Sequence, residues 1–337
     1  ASCHEGGFAK APHRDFLAKM APDSIIRSLT DGVMRSQGAD LSYAERRNIV
    51  KYLTGIDIDM YQTAAEIPRC HDNLKKFDID RPPAQVNWGY ETNRFVPEPG
   101  ISKNEVSKLS LKWVVSFPGA SRARSLPVVA YGSVFVGSQD GSVYALDLDT
   151  GCVKWKTRVS AEVRTSLTVE SIGTARDVSP RAFFGDLLGR VHALDAFTGN
   201  LLWSTHADTH SGATITGNPL MGEDMLLVPV SSLEVLTAAD ENYPCCTFRG
   251  SVIALDLDTG RRVWQHFTIP DAAVQNTKSR IGVLQFGPSG APVWGSPTLD
   301  SETGVLYHGS GENYSSPADG NSDAVFAVEV ATGKRIW

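Results

Sequence analysis

The sequence predicts a multi-domain protein: a small all-α domain over residues 1–57, a linker over 58–82, and an all-β propeller over 83–337 holding about four of an expected eight blades. Two observations carry that division. The first is a phrase that occurs four times. It reads Tyr144-Ala-Leu-Asp-Leu-Asp-Thr-Gly-Cys-Val-Lys-Trp155, and comes back at His192–Trp203, Ile253–Trp264 and Phe326–Trp337. Repeats of this kind mark stacked units, none of which can bury its own face alone. The second is a change of periodicity, from helical spacing before residue 58 to short alternating strands after Trp88.

In the first part, Pro22-Asp23-Ser24 can open a helix through Ile25, Ile26 and Leu29. Ser42-Tyr-Ala-Glu45 is a capping box, because serine and glutamate can satisfy each other's orphan amide groups. Ile49, Val50 and Leu53 share one face of the helix that follows, and Gly55 is a natural stop. From 58 to 82 the periodicity is lost, and the run ends in Arg81-Pro82-Pro83, the composition of a linker.

Beyond it, Gly132-Ser-Val-Phe-Val-Gly-Ser, a turn ending at Gly141, and Ser-Val-Tyr-Ala-Leu have the texture of a β-meander. The alanines of the four phrases stand at 145, 193, 254 and 327, with spacings of 48, 61 and 73. One four-stranded blade with its loops needs a length of that order. Within a phrase the Ala-x-Asp strand packs closely, Asp-x-x-Thr-Gly turns the chain, and the tryptophan lies flat against a neighbouring blade. A β-sandwich with coincidental turns is the alternative, and four matches in register speak against it.

Ala1-Ser2-Cys3-His4 supplies the last positions of a c-type haem attachment motif. Such a motif needs two cysteines, two residues apart, for thioether bonds and an adjacent histidine for iron. Its first cysteine would stand immediately before Ala1. Together with Met34, Leu41-Ser42, Glu45 and Tyr52-Leu-Thr-Gly55, the region resembles the latter half of a small class I cytochrome c. The resemblance implies haem c on Cys3 with His4 and Met34 as axial ligands. Met20 competes for the second place but lies before the proline-led helix. A His/Met pair favours the ferrous state and hence electron acceptance.

The net charge of −6 gives no basic footprint for nucleic acid. No apolar run approaches the roughly 18–20 residues of a membrane span. Five cysteines are too few for a disulfide scaffold, yet Cys245 and Cys246 are adjacent. That usage, with the Cys-His pair, points to an oxidising compartment such as a periplasm, reached by a signal peptide outside this sequence. Cys152 lies inside a repeat, and whether it pairs with Cys70 cannot be read from sequence.

The repeat phrase is similar to the docking motif of the quinoproteins, propeller dehydrogenases that use pyrroloquinoline quinone. Non-catalytic propellers of the outer-membrane assembly type share the phrase, so the loops must discriminate. Tyr243-Pro-Cys-Cys-Thr-Phe-Arg249 carries the adjacent cysteines, either as two buried thiols or as a bonded pair. The resemblance implies the pair, a ring of Cys245 and Cys246 over one face of the flat quinone. It implies Trp294 as the opposite platform. It makes Glu312, in Gly309-Ser-Gly-Glu312, a calcium ligand with Asn313 as fallback, because many members carry asparagine where this chain has Glu312. Ser231-Ser232-Leu233-Glu234 resembles a Ser-Gly-Ala-Glu segment beside the cofactor whose glutamate takes calcium, a hard cation that prefers carboxylate oxygens. Thr216 matches a threonine that hydrogen-bonds the cofactor, and Arg164 could clamp a cofactor carboxylate as an always-charged fork. A core tryptophan and a solvated arginine are the plainer readings of Trp294 and Arg164.

Domain order narrows the resemblance. A cytochrome first, then Trp88-Gly-Tyr-Glu-Thr-Asn-Arg-Phe95, Thr150-Gly-Cys-Val and Tyr243-Pro-Cys-Cys, looks like the polyvinyl-alcohol dehydrogenase branch. This implies oxidation of a secondary alcohol, polyvinyl alcohol or a related polyol, by hydride transfer to calcium-bound quinone. Electrons then pass to haem c and on to a soluble or membrane acceptor such as a cytochrome. In the resembling enzymes the aspartate base and an arginine beside the quinone come after the position of Trp337. Asp319 and Asp323 precede it and suit the turn of a Gly/Asn/Ser-rich loop. No catalytic base is therefore expected within these residues, and they are expected not to turn over alone. A non-catalytic scaffold, or a quinoprotein for another alcohol or sugar, is the alternative.

Overall fold

Residues 4, 11, 14–59, 66–81, 83, 100–118, 120, 122–172, 179–222 and 224–337 are described by the structure, a computed structural model. Cys3 and the Trp88–Phe95 segment lie outside the described residues. The chain is mostly β, with a few short helices near its start.

Four helices open it: α1 (Arg14–Leu17), α2 (Pro22–Thr30), α3 (Arg35–Gly38) and α4 (Tyr43–Thr54). The capping box of α4 is complete, with Ser42 Oγ accepting from the Glu45 amide at 3.3 Å and the Ser42 amide donating to Glu45 Oε2 at 2.8 Å. Gly55, at φ +72°, ends the helix by donating its amide to the Lys51 carbonyl. That conformation carries no steric cost for glycine. Val50 and Ile25 are buried where α2 meets α4. Asp23 of α2 pairs with Arg158 at 2.6 Å, which fastens the helices to the β region. Among the described residues no helix is long and apolar enough to cross a membrane.

Each repeat phrase lies in one antiparallel sheet with strands in chain order. The first is β1 (Val128–Ala130), β2 (Ser133–Gly137), β3 (Ser142–Asp147) and β4 (Val153–Arg158). The second is β5 (Thr168–Ile172), β6 (Ser179–Gly185), β7 (Arg190–Asp195) and β8 (Leu201–His206). In the third, β9 (Ala213–Thr214) flanks the path β10 (Leu220–Met221), β11 (Met225–Ser232), β12 (Ser251–Asp256) and β13 (Arg262–Phe267). A hairpin of β14 (Val274–Lys278) and β15 (Leu284–Gly287) follows, then β16 (Ser289–Gly290). The last sheet holds β17 (Thr298–Asp300), β18 (Val305–Gly309) and β20 (Val325–Glu329), while β19 (Asn313–Ser315) pairs with β16. Apolar clusters fill the spaces between successive sheets. Each of the four phrases thus has an antiparallel sheet of its own, and among the described residues these sheets do not close into a ring.

The phrase explains how neighbouring sheets lock. Asp147, Asp195 and Asp256 each accept from the amide and hydroxyl of the threonine three residues on, which fixes the turn. The following glycine takes a positive φ, and its face meets the preceding sheet's tryptophan. A Cβ on Gly260 would lie 2.6 Å from the ring of Trp203. The indole then donates Nε1–H to a carbonyl of that turn: Trp155 to Ala196, Trp203 to Leu257 and Trp264 to Val330, each at 2.9 Å. Trp113 makes the same contact with Leu148 at 3.0 Å, so a docking tryptophan also precedes the first recognisable phrase. Because the indole both fills space and donates, the two roles separate by substitution. Trp203→Phe should cost about 1 kcal/mol, the loss of one hydrogen bond. Trp203→Ala should cost about 3–5 kcal/mol through the cavity it leaves. Urea unfolding of both variants measures the difference, and a Trp203→Phe protein as stable as wild type would show that the hydrogen bond contributes nothing.

The segment read as a linker runs along the first sheet over its described part. Ile58 is buried, and Phe77 stacks on Phe197 with ring centroids 4.8 Å apart. Cys70 forms a disulfide with Cys152. Around it the Cys70 amide donates to the Val153 carbonyl at 3.0 Å, and the Val153 amide to that of Pro68 at 2.8 Å.

Candidate functional site

The carboxylate of Glu234 is the centre of a dense set of polar contacts. It lies in a short turn after β11 and is 1% exposed. Oε1 accepts from the Thr247 amide and the Tyr243 hydroxyl, both at 3.1 Å, and Oε2 from the Phe248 amide at 2.9 Å. His210 Nε2 stands 3.5 Å from Oε1 and 3.1 Å from Thr247 Oγ1. The Gly212 amide donates to His210 Nδ1 at 3.0 Å, which leaves Nε2 to carry the ring proton toward Glu234. Burial, the largest influence, pushes the Glu234 carboxyl up. The hydrogen bond from His210, with the Phe248 and Thr247 amides, outweighs it and holds the group below its ordinary value. The same burial, reinforced by the Glu234 charge, pushes Tyr243 up.

Both amides come from the residues just after Cys245 and Cys246, which are bonded to each other and buried. The bonded pair is held on its other side as well. The Phe286 amide donates to the Cys245 carbonyl at 2.6 Å, the Cys246 amide to the Phe286 carbonyl at 3.2 Å, and Cys245 Sγ lies 3.8 Å from the Tyr314 carbonyl. Tyr314 Oη reaches the Ser232 carbonyl at 3.4 Å, and Ser232 Oγ accepts from the Glu234 amide at 2.9 Å while donating to Gly212. Glu234, Ser232, Cys245, Cys246 and Tyr314 therefore form one connected unit, and Ser231 is buried beside Ser232 on β11.

The remaining sequence-predicted residues form a second row. Thr216 Oγ1 donates to the Trp294 carbonyl at 3.0 Å, and Trp294 is 62% exposed with its Nε1 beside Gly311. The residue after Gly311 is Glu312, whose side chain is exposed. Asn313, the fallback, is more enclosed: Nδ2 donates to the Ser315 carbonyl at 2.6 Å, and Oδ1 is buried with no partner. Arg164 is half-buried. Among the described residues no three His, Cys, Asp or Glu side chains gather as a metal cluster. In the helical region His4 and Met34 are both partly exposed, and Met20 pairs by its backbone with Ala161. A cleft of about 690 Å³ opens on the His210 side, lined also by Thr247, Phe248, Tyr243 and Arg249. None of Trp294, Thr216 and Arg164 lines it.

His210, Tyr243 and Tyr314 escaped the sequence reading. Tyr243 stands in the same short run as the two cysteines and could have been singled out. His210 has no local signal, since its role arises from a contact across 24 residues of chain.

The docking tryptophans, the open array of antiparallel sheets and the Glu234 unit define a class of propeller-repeat protein, and comparison agrees. The PQQ_2 family model, described as outer membrane protein assembly factor BamB, matches residues 102–337, and the chain belongs to that family of PQQ-type propeller repeats. Over its whole length the chain is 32% identical to a polyvinylalcohol dehydrogenase from Pseudomonas sp and 29% identical to one from Sphingopyxis sp. (strain 113P3). It spans 55% and 54% of those two proteins, about half their length. The fold matches a crystal structure of quinohemoprotein alcohol dehydrogenase from Comamonas testosteroni with a TM-score of 0.59, at 22% identity, over 78% of this chain and 43% of that one.

Proposed function

We propose that this chain belongs to a pyrroloquinoline-quinone-dependent alcohol dehydrogenase that oxidises secondary alcohols, polyvinyl alcohol or a related polyol among them. The observation that carries the reading is similarity to two polyvinylalcohol dehydrogenases along the whole chain. The bonded Cys245–Cys246 pair supports it, set against a carboxylate that the fold keeps ionised. A scaffold propeller needs neither.

The residues present suit the quinone and its cation. Trp294 offers an exposed indole face, and the orphaned Asn313 Oδ1 is an oxygen of the kind a hard cation takes. Glu234 supplies charge, with Glu312 next to Asn313. Bound quinone would supply a two-electron acceptor for the alcohol's hydride. The chain's own share would be to hold that acceptor: Trp294 and the cysteine pair would bound it, Arg164 would donate to it, Thr216 would hydrogen-bond it, and Ser231 and Ser232 would shape the wall behind Glu234. The haem c reading rests on Cys3-His4 and on the helices over 14–54, with Met34 as the second axial ligand. Electrons would leave through that haem to a soluble or membrane acceptor in a periplasm, a compartment that suits two disulfides.

The test is dye reduction by the purified full-length protein in the presence of quinone and calcium. Secondary alcohols and polyvinyl alcohol should drive it, and the reduced haem band should appear with them. Quinone binding without turnover of any alcohol, in protein free of haem, would leave the scaffold reading in its place.

A further inference from the structure

The sheets differ in what joins their strands. The second and third strands are joined by residues 138–141 in the first sheet and 186–189 in the second. In the last two sheets the same join takes 233–250 and 310–324. The link leaving β13 is long as well, running over 268–297 where the link leaving β4 takes 159–167, and it contains the β14–β15 hairpin.

These three insertions are bonded to one another. The hairpin's base meets the first through the main chain of Phe286, paired with Cys245 and Cys246. Arg280, in the hairpin turn, reaches Glu241 through Nε at 3.2 Å and Nη2 at 2.9 Å, and Ser279 Oγ donates to the Glu241 carbonyl at 3.1 Å. Gln285 Nε2 donates to the Tyr243 carbonyl at 3.3 Å. On the side of the third insertion, Asn276 Nδ2 donates to the Ser316 carbonyl, and Ser289 pairs with Ser315. A lone two-stranded hairpin is marginal in water, so these ties are what hold it in place.

What the ties leave free is β14. All five of its residues are exposed, and among the described residues β15 is its one strand partner. An unpaired edge is a template for another chain, and proteins usually blunt it with charge or proline. Here Lys278, at the strand's end, is the one charged side chain on either strand, and neither strand holds a proline. Val274, Ile281 and Leu284 add exposed apolar surface from the hairpin's base to its turn. At about 3.4 Å per residue, the edge offers about 17 Å of amide and carbonyl groups.

We propose that the β14–β15 hairpin is a docking strip for a long neutral polyol, polyvinyl alcohol, which lies along β14 while one carbinol enters toward the Cys245–Cys246 pair. This rests on the alcohol-dehydrogenase reading and names the element that favours polymer over small alcohols. Hydroxyls both donate and accept, so they match the N–H and the C=O groups of a strand edge, and the methylenes between them suit Val274, Ile281 and Leu284. A single ammonium is too little charge for an anionic polymer, and the hairpin's base already touches the bonded cysteines.

The test uses full-length protein with quinone and calcium, and the double variant Val274→Asp/Ile281→Asp, whose side chains are exposed and outside the site. The variant should raise KM for polyvinyl alcohol about tenfold at unchanged kcat, the mark of lost binding, and leave both constants for 2-propanol within about twofold. Val274→Leu/Ile281→Leu should behave as wild type. Electrophoresis in a native gel cast with polyvinyl alcohol reads docking without turnover: wild type should be retarded and the aspartate variant should run freely. Equal losses on polymer and 2-propanol, or an unchanged KM for polymer, overturn the strip. So does a wild type that the polymer does not retard, or a dimer in sedimentation that the variant disperses and polymer leaves intact. Retardation without turnover of any alcohol keeps the strip and overturns the dehydrogenase reading instead.

Discussion

Glu234→Ala should lose about 3–5 kcal/mol of stability, more than any single surface change, because it strands buried donors rather than removing a contact. The amides of Thr247 and Phe248 and the hydroxyl of Tyr243 all point at this carboxylate. Each unsatisfied buried donor costs about 1–3 kcal/mol, and the alanine offers none of them an acceptor. Glu234→Gln, which keeps one carbonyl oxygen, should recover about half of the loss. The midpoint of urea unfolding at pH 7 is the measurement, and an unchanged slope would confirm that the fold itself persists. The sign of the pH dependence follows from the direction of the shift. The folded carboxyl sits below the ordinary value of 4.5, so its contribution is fully present above pH 4.5. It is lost as pH falls through the folded value. Wild type should therefore weaken on the acid side of pH 4.5 by an amount that Glu234→Gln does not show. Identical acid limbs for the two proteins would mean that the carboxylate is not held as described.

How much of this was legible in the sequence depends on chain distance. The phrase Ala-x-Asp-x-x-Thr-Gly is a local code: the aspartate caps a threonine three residues on, the glycine turns, and the tryptophan pairs directly with the alanine ten residues back, as Ala145 does with Trp155. Everything needed lies within one hairpin, so the strands could be placed before any coordinate was known. The capping box of α4 was readable for the same reason. Trp113 was not, because its docking partner Leu148 lies 35 residues further on and no copy of the phrase surrounds Trp113 itself. Candidate site residues were legible as types and not as geometry. Adjacent cysteines are visible in any sequence, whereas the satisfaction of Glu234 by His210 and Tyr243 depends on how two loops meet. Glu312 and Asn313 show the limit: sequence ranked the carboxylate first, yet its side chain is exposed while the amide oxygen of its neighbour is buried and orphaned. The run over 66–81 has no periodicity to announce that it lies along a sheet. Its contacts are individual, Phe77 on Phe197 and Lys154 Nζ to the Lys76 carbonyl at 2.7 Å, and no pattern encodes them.

The Cys70–Cys152 bond should matter most to that run. It spans 82 residues of sequence, and chain-entropy arithmetic for a loop of that size gives about 4–5 kcal/mol of stabilisation through the unfolded state. Measured values usually fall short of that arithmetic, so Cys70→Ser/Cys152→Ser should lose about 2–4 kcal/mol. The double substitution is the right variant, because a single one would leave a lone thiol free to attack the Cys245–Cys246 pair. The protein should still fold. Main-chain pairing of Arg69 with Val153 and the stacking of Phe77 remain, and these hold the segment to the first sheet without the covalent tie. What changes is the cost of local opening, so proteolysis or amide exchange across 66–81 should accelerate while β6 and β7 stay protected. Reductant separates the two disulfides. On wild type it should reproduce the loss seen in the double variant, and on the double variant it can act only at Cys245–Cys246. A wild type whose midpoint ignores reductant, with both bonds shown by mass to be open, would mean that noncovalent contacts alone set the stability of this face.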